Sequence, residues 1–270
     1  MATHSEIYEI HKSFAETEFG EKLSENVRYD KYRPNHISKL EWAQLLGADV
    51  NNLTHMPLTY GIARAFINDA RNSQPDLLND QEEKLLLIAA ISHDWAESIT
   101  SDISFGDKTA TDDDEEQAAF ERNAASFYEG GDFELVDQAR REIVFDHDSK
   151  LGELLNAIER IGYLRTALRA NQLLNEGIED TELQGGLEWL VFDVLSNLQA
   201  KEDLYGMPKL LELRKFAPVD TYLTSVEDRI EDAFDNAIKT MEVILPKYDE
   251  KAPQKREQMA HSAQNWDRYW

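Results

Sequence analysis

Leu85–Ile91 reads Leu-Leu-Leu-Ile-Ala-Ala-Ile, which puts apolar side chains on every side of a helix. A helix that is apolar all round has to be buried among other helices. The run leads directly into Ser92-His93-Asp94-Trp95-Ala96-Glu97, so three ionisable residues arrive at the end of the most buried helix expected in the chain. Buried charges are costly unless they are paired or bound to a metal. This conflict between pattern and composition is the first functional signal.

The rest of the chain fits a helical class. Asp80–Glu97, Leu151–Leu174, Gly186–Leu204 and Val226–Leu245 carry apolar residues at three- and four-residue spacing. Asp80 with Glu83 resembles a capping box ahead of the first of them. No segment keeps a two-residue alternation, and 12 Gly with 7 Pro in 270 residues argue against a many-turned β architecture. Breaks are expected at Asn72–Pro75, Ser101–Asp114, Gly130–Asp132, Gly206–Pro208 and Ala217–Pro218. Asp112–Glu116 is an acidic run, read as a solvated helix start in preference to a second cation site.

Charge and composition narrow the partners. The 53 acidic residues against 28 basic ones give a net charge of −25, which disfavours DNA, RNA or an anionic membrane surface as partner. A small anionic substrate stays open, because a bound cation reverses the field locally. There is no cysteine, so a metal would have to be held by His and carboxylate groups. No apolar run reaches membrane-spanning length and residues 1–9 lack a charged-then-apolar leader, so a cytoplasmic location is expected.

On a continuous helix, His93 and Glu97 share one face and Asp94 lies about 100° round from His93. A further candidate is His55, just ahead of an amphipathic stretch with Ile62, Ala63, Phe66 and Ile67, with Pro57 in the first helical turn. Neither feature is specific alone, and the His-Asp dipeptide occurs again at His147-Asp148, where a helix start capped by Asp148 or Ser149 is the simpler reading. His36 has no supporting context, and His4, His11 and His261 read as surface residues.

The run His93-Asp94-Trp95-Ala96-Glu97, continuing through Asp102 to Lys108, resembles the signature of HD-domain phosphohydrolases, in particular their 5′-deoxynucleotidase-like branch. Every charged position of that pattern is filled, and His55 stands where the family's upstream metal ligand does. The resemblance covers about residues 50–175. It implies a single all-α domain over 1–270, with an HD core of about 50–175 and a C-terminal helical extension of about 181–270. It also implies one divalent ion (Mn, Co, Zn, Fe or Mg) held by His55, His93, Asp94 and a later carboxylate. Glu159 takes the place of the family's Asp and is preferred; Asp193, inside the apolar run Leu190–Leu195, is the rival. By the same resemblance Glu97 would orient or deprotonate the attacking water, Lys108 would neutralise phosphate oxygens, and Asp102 would position the sugar or a water. The branch's Arg-Trp pair for the nucleotide is missing; Arg28, Arg33 and Trp42 are loose substitutes, with Arg33 the expected substrate contact. The implied activity is hydrolysis of a phosphate ester of a nucleotide. Sister activities on the same site are nucleoside triphosphohydrolase and cyclic-nucleotide or alarmone hydrolase; a non-catalytic acidic binding scaffold is the reading from another class. A homodimer is a further expectation.

Overall fold

A computed structural model describes residues 4–100, 110–127, 133–198 and 209–243. The chain is all-α: among the described residues β pairing is limited to one isolated antiparallel bridge between Val27 and Asn51. In chain order the helices are α1 (His4–Ala15), α2 (Glu18–Glu25), α3 (Lys39–Leu46), α4 (Asn52–Ser73), α5 (Asp80–Ser92) and α6 (Glu97–Thr100). They continue with α7 (Ala110–Phe127), α8 (Phe133–Ala139), α9 (Lys150–Glu176), α10 (Thr181–Leu198), α11 (Ala217–Ser225) and α12 (Glu227–Val243). Short 3₁₀ turns occupy Asp30–Tyr32, His93–Ala96 and Glu212–Lys215, and Arg140–Val144 is a π-helical turn. None of these helices is long and apolar enough to cross a membrane.

The residues fall into two compact units, Met1–Arg28 with Asp49–Glu159, and Tyr29–Ala48 with Arg160–Trp270. The division runs within α9, and the segment Tyr29–Ala48 groups with the C-terminal half of the chain.

In the first unit α5 is the central element, with Leu85 to Ile91 all buried, as its all-round apolar character requires. Its capping box lies one residue earlier than expected: the Asn79 side chain accepts from the Gln81 and Glu82 amides, and Glu82 reaches back to the Asn79 amide. Glu83 is instead paired with Arg71, whose Nε donates to it at 2.8 Å. The helix α4 begins at Asn52 behind its own capping box of Asn51 and Thr54, so Pro57 falls in the second turn and not the first, removing the donor for the Leu53 carbonyl. The N-terminal α1 lays Ile7, Ile10, His11 and Phe14 against the core. His11 is therefore a core residue and not a surface one, because it shares the helix face of those apolar neighbours.

At the start of α9, Ser149 Oγ accepts from the Gly152 amide at 3.0 Å, and a Cβ on Gly152 would stand 2.0 Å from the Asp146 carbonyl. His147 thus lies in the turn that precedes a Ser-capped helix. The acidic run at the start of α7 has Asp114 and Glu115 exposed, but Glu116 faces the core.

The second unit packs α10 with α12 and with the Asp30–Tyr32 turn. The close approach of α10 to that turn depends on Gly186, where a Cβ would meet the Tyr32 carbonyl at 2.2 Å. Between α9 and α12, Asn171 and Asn175 both donate to Asp232, at 2.7 and 2.6 Å. Ala217–Pro218, expected as a break, forms the first turn of α11, a position that tolerates proline.

Candidate metal centre

The helix α5 stops at Ser92, whose hydroxyl bonds back to the Ile88 carbonyl at 2.7 Å. The expected helix Asp80–Glu97 is therefore broken, and His93–Ala96 forms a 3₁₀ turn, so α-helical spacing does not relate His93 to Glu97. The turn is pinned by Trp95, fully buried and stacked on Phe14 of α1 with ring centroids 4.1 Å apart. With Trp95 turned into the core, His93 and Asp94 stand together at the carbonyl end of α5, where the helix dipole favours a cation.

His93 is almost wholly buried. Its Nδ1 faces the Ala90 carbonyl at 3.0 Å and must donate, since a carbonyl can only accept. In the neutral ring this leaves Nε2 as a bare lone pair. Asp94 Oδ1 and Glu159 Oε1 each lie 3.2 Å from that nitrogen, yet Nε2 has no hydrogen-bond partner, and neither does the buried Asp94 Oδ2. Lone-pair atoms crowded in this way repel unless a cation, a proton or a metal ion, is shared among them. Two donors each about 2.1 Å from one ion stand roughly 3 Å apart, so the observed spacing fits a common metal.

His55, in the first turn of α4, completes the group. Its ring meets that of His93 edge-on, with centroids 5.3 Å apart. Ligand atoms of His55, His93 and Asp94 lie within 4.8 Å of one another, so these three residues could hold a metal ion. Burial pushes the His55 imidazole well below its usual pKa, helped by the Arg28 charge, so the ring is neutral at pH 7. Around it, Asp49 Oδ2 is 3.5 Å from Nδ1 and the Thr59 hydroxyl is 3.2 Å from Nε2. Burial also raises the Asp49 carboxyl to about 6, against the opposing pull of Arg28.

Glu97 opens α6 and is held from α4: the fully buried Asn52 donates its amide N–H to Glu97 Oε2 at 2.6 Å. Arg28 Nη1 in turn lies 3.4 Å from Asn52 Oδ1. Asn52 and His55 are three apart, so one turn of α4 presents both a candidate ligand and the group that aims Glu97.

No family model, curated protein or solved structure matches the chain.

The remaining expected residues are distributed as follows. Glu159 is brought to His93, whereas Asp193 belongs to the second unit, where the Tyr32 hydroxyl donates to it and Lys31 Nζ lies 3.0 Å away. Arg33 also belongs to the second unit; its Nε donates to Asp30 at 2.6 Å and its Nη1 to the Ile37 carbonyl. Trp42 lies in that unit too, donating to the Tyr29 carbonyl, while Arg28 belongs to the unit of the candidate centre. His36 is exposed and pairs with Asp180 at 2.6 Å, which raises its pKa. Asp102 and Lys108 lie outside the described residues. Sequence reasoning missed Asn52, Asp49 and Arg140. For Arg140 a signal was available: it sits between Val136 and Ile143 at helical spacing, on a face that is otherwise apolar and buried.

Proposed function

We propose that this chain is an HD-type metal-dependent phosphohydrolase that cleaves the phosphate ester of a nucleotide. The supporting observation is the buried Nε2 of His93, which faces the carboxylates of Asp94 and Glu159 while Nδ1 is taken up by the Ala90 carbonyl, with His55 beside it. His55, His93, Asp94 and Glu159 would hold one divalent ion, Mn, Co, Zn, Fe or Mg, with the two imidazole donors favouring a transition metal over Mg. When bound, such an ion acts as a Lewis acid and acidifies coordinated water.

The chain's own residues supply the remainder. Glu97, oriented by Asn52, takes the proton of the attacking water as general base. The water oxygen bonds to phosphorus as the P–O ester bond breaks, the bonding pair leaves with the sugar oxygen, and that oxygen takes up a proton returned from Glu97 or the solvent. Lys108 neutralises the phosphate oxygens through this step while Asp102 positions the sugar or a water. The substrate is a small phosphate ester and not a nucleic acid, consistent with the net charge of −25.

A phosphate-release screen over nucleoside mono- and triphosphates and cyclic nucleotides, run with each of the five metals, tests the reading. Orthophosphate from monophosphates is the expected product. Triphosphate release or cyclic-phosphodiester cleavage would move the chain to a sister activity, and no release with any metal would remove the reading.

A further inference from the structure

The carbonyls that close α5 are not left to water. His11 of α1 is buried beside the Ile91 carbonyl, which opposes the lowering of its pKa by burial. The next two carbonyls are taken by a single side chain: Arg140 Nη1 donates to Ser92 O at 3.0 Å and to His93 O at 3.2 Å. Arg140 is 1% exposed and opens the π-helical turn Arg140–Val144. Its guanidinium lies over the Phe120 ring, 3.8 Å from the centroid, with Phe145 at 4.9 Å. Its charge interacts favourably with Glu116, Asp94, Asp137 and Glu97, although burial lowers its pKa to about 10; it stays protonated at neutral pH.

This is an expensive way to fill a core. A buried charge is commonly no better for stability than an apolar residue of similar volume, and here Nε and Nη2 have no hydrogen-bond partner. The return lies in geometry, because both carbonyls it holds belong to the corner where α5 gives way to the 3₁₀ turn of His93 and Asp94. π-Helical turns of this kind recur at functional sites. We infer that Arg140 is the positioning residue of the metal centre: by fixing the Ser92 and His93 carbonyls it sets the turn on which His93 and Asp94 converge on one ion. This assignment rests on the metal-site reading above.

The test uses the full chain as wild type, Arg140→Lys and Arg140→Met, with the exposed neighbour Arg141→Lys as control. Thermal unfolding reports the fold, Mn²⁺ titration the affinity, and the visible spectrum with Co²⁺ the ligand geometry. Loss of an outer-shell partner typically weakens metal binding about 10–100-fold. Both Arg140 variants should show that loss and an altered Co²⁺ spectrum, with Arg141→Lys unchanged. Arg140→Met, which leaves the Ser92 and His93 carbonyls without their donor, should also melt lower than wild type. If Arg140→Met does not fold, Arg140→Lys alone decides. Folded variants that bind Mn²⁺ as tightly as wild type, with the same Co²⁺ spectrum, would overturn the role of Arg140 while leaving the metal site in place. A wild type that binds no Mn²⁺ would overturn both.

Discussion

Glu159 and Asp193 are both carboxylates set in apolar helical surroundings, and their neighbours distinguish them. Glu159 Oε1 faces His93 Nε2, whereas Asp193 is enclosed by Tyr32 and Lys31. Glu159→Ala is accordingly expected to lose bound metal, and Asp193→Ala to retain it. The second substitution removes the acceptor of the buried Tyr32 hydroxyl and should cost about 1–3 kcal/mol of stability, read by thermal or denaturant unfolding. Metal loss in Asp193→Ala with retention in Glu159→Ala would reverse the assignment. Glu97→Ala should keep its metal and lose roughly 10²- to 10⁴-fold in kcat, the usual range for a general base; wild-type turnover would exclude Glu97 from the chemistry. At this scale the sequence exposed His93, Asp94 and Glu97 because they interrupt the apolar logic of Leu85–Ile91. Asn52 was hidden, since a polar residue at a helix start reads as surface until its helix is placed. Asp49 lies in a loop with no periodicity to mark it, and Arg140 was marked only by the apolar face it shares with Val136 and Ile143.

The elements repeat the lesson in another form. The apolar run that becomes α5 was legible as a buried helix, but its end was not, because the break at Ser92 combines one local bond with contacts from groups far away in sequence. Ser92 turns back on Ile88, Arg140 takes the Ser92 and His93 carbonyls, and Trp95 stacks on Phe14. His11 shows the same dependence: one residue on the inward face of α1, it is buried with a pKa lowered to about 4. The folded state resists protonating it, while the unfolded chain takes up the proton near pH 6.5. Its contribution to stability therefore falls as pH drops from about 6.5 to about 4, and is flat above and below. His11→Gln, which keeps a polar side chain of similar reach, should flatten that stretch of the stability–pH curve measured by urea unfolding. An unchanged acid limb would show that His11 titrates as an ordinary exposed histidine.

For the whole molecule, periodicity and composition were sufficient for the all-α class, because helical spacing recurs along the chain and Gly and Pro are few. The two compact units were not legible: Tyr29–Ala48 carries no compositional mark of grouping with residues 160–270, and the division falls inside a continuous helix. What joins sequence to function is one cluster in the first unit, where His55, His93 and Asp94 gather candidate ligand atoms within 4.8 Å. A ligand that binds only the folded state stabilises it, by about 2.7 kcal/mol at a hundredfold excess over Kd. The most direct measurement is thus a Mn²⁺ titration of the wild-type chain and of Asp94→Ala, following bound metal and melting temperature together. The account predicts one ion per wild-type chain with a rise in Tm, and neither in a folded Asp94→Ala. A wild type that takes up no metal, or an Asp94→Ala chain that takes up as much with the same rise in Tm, would contradict it.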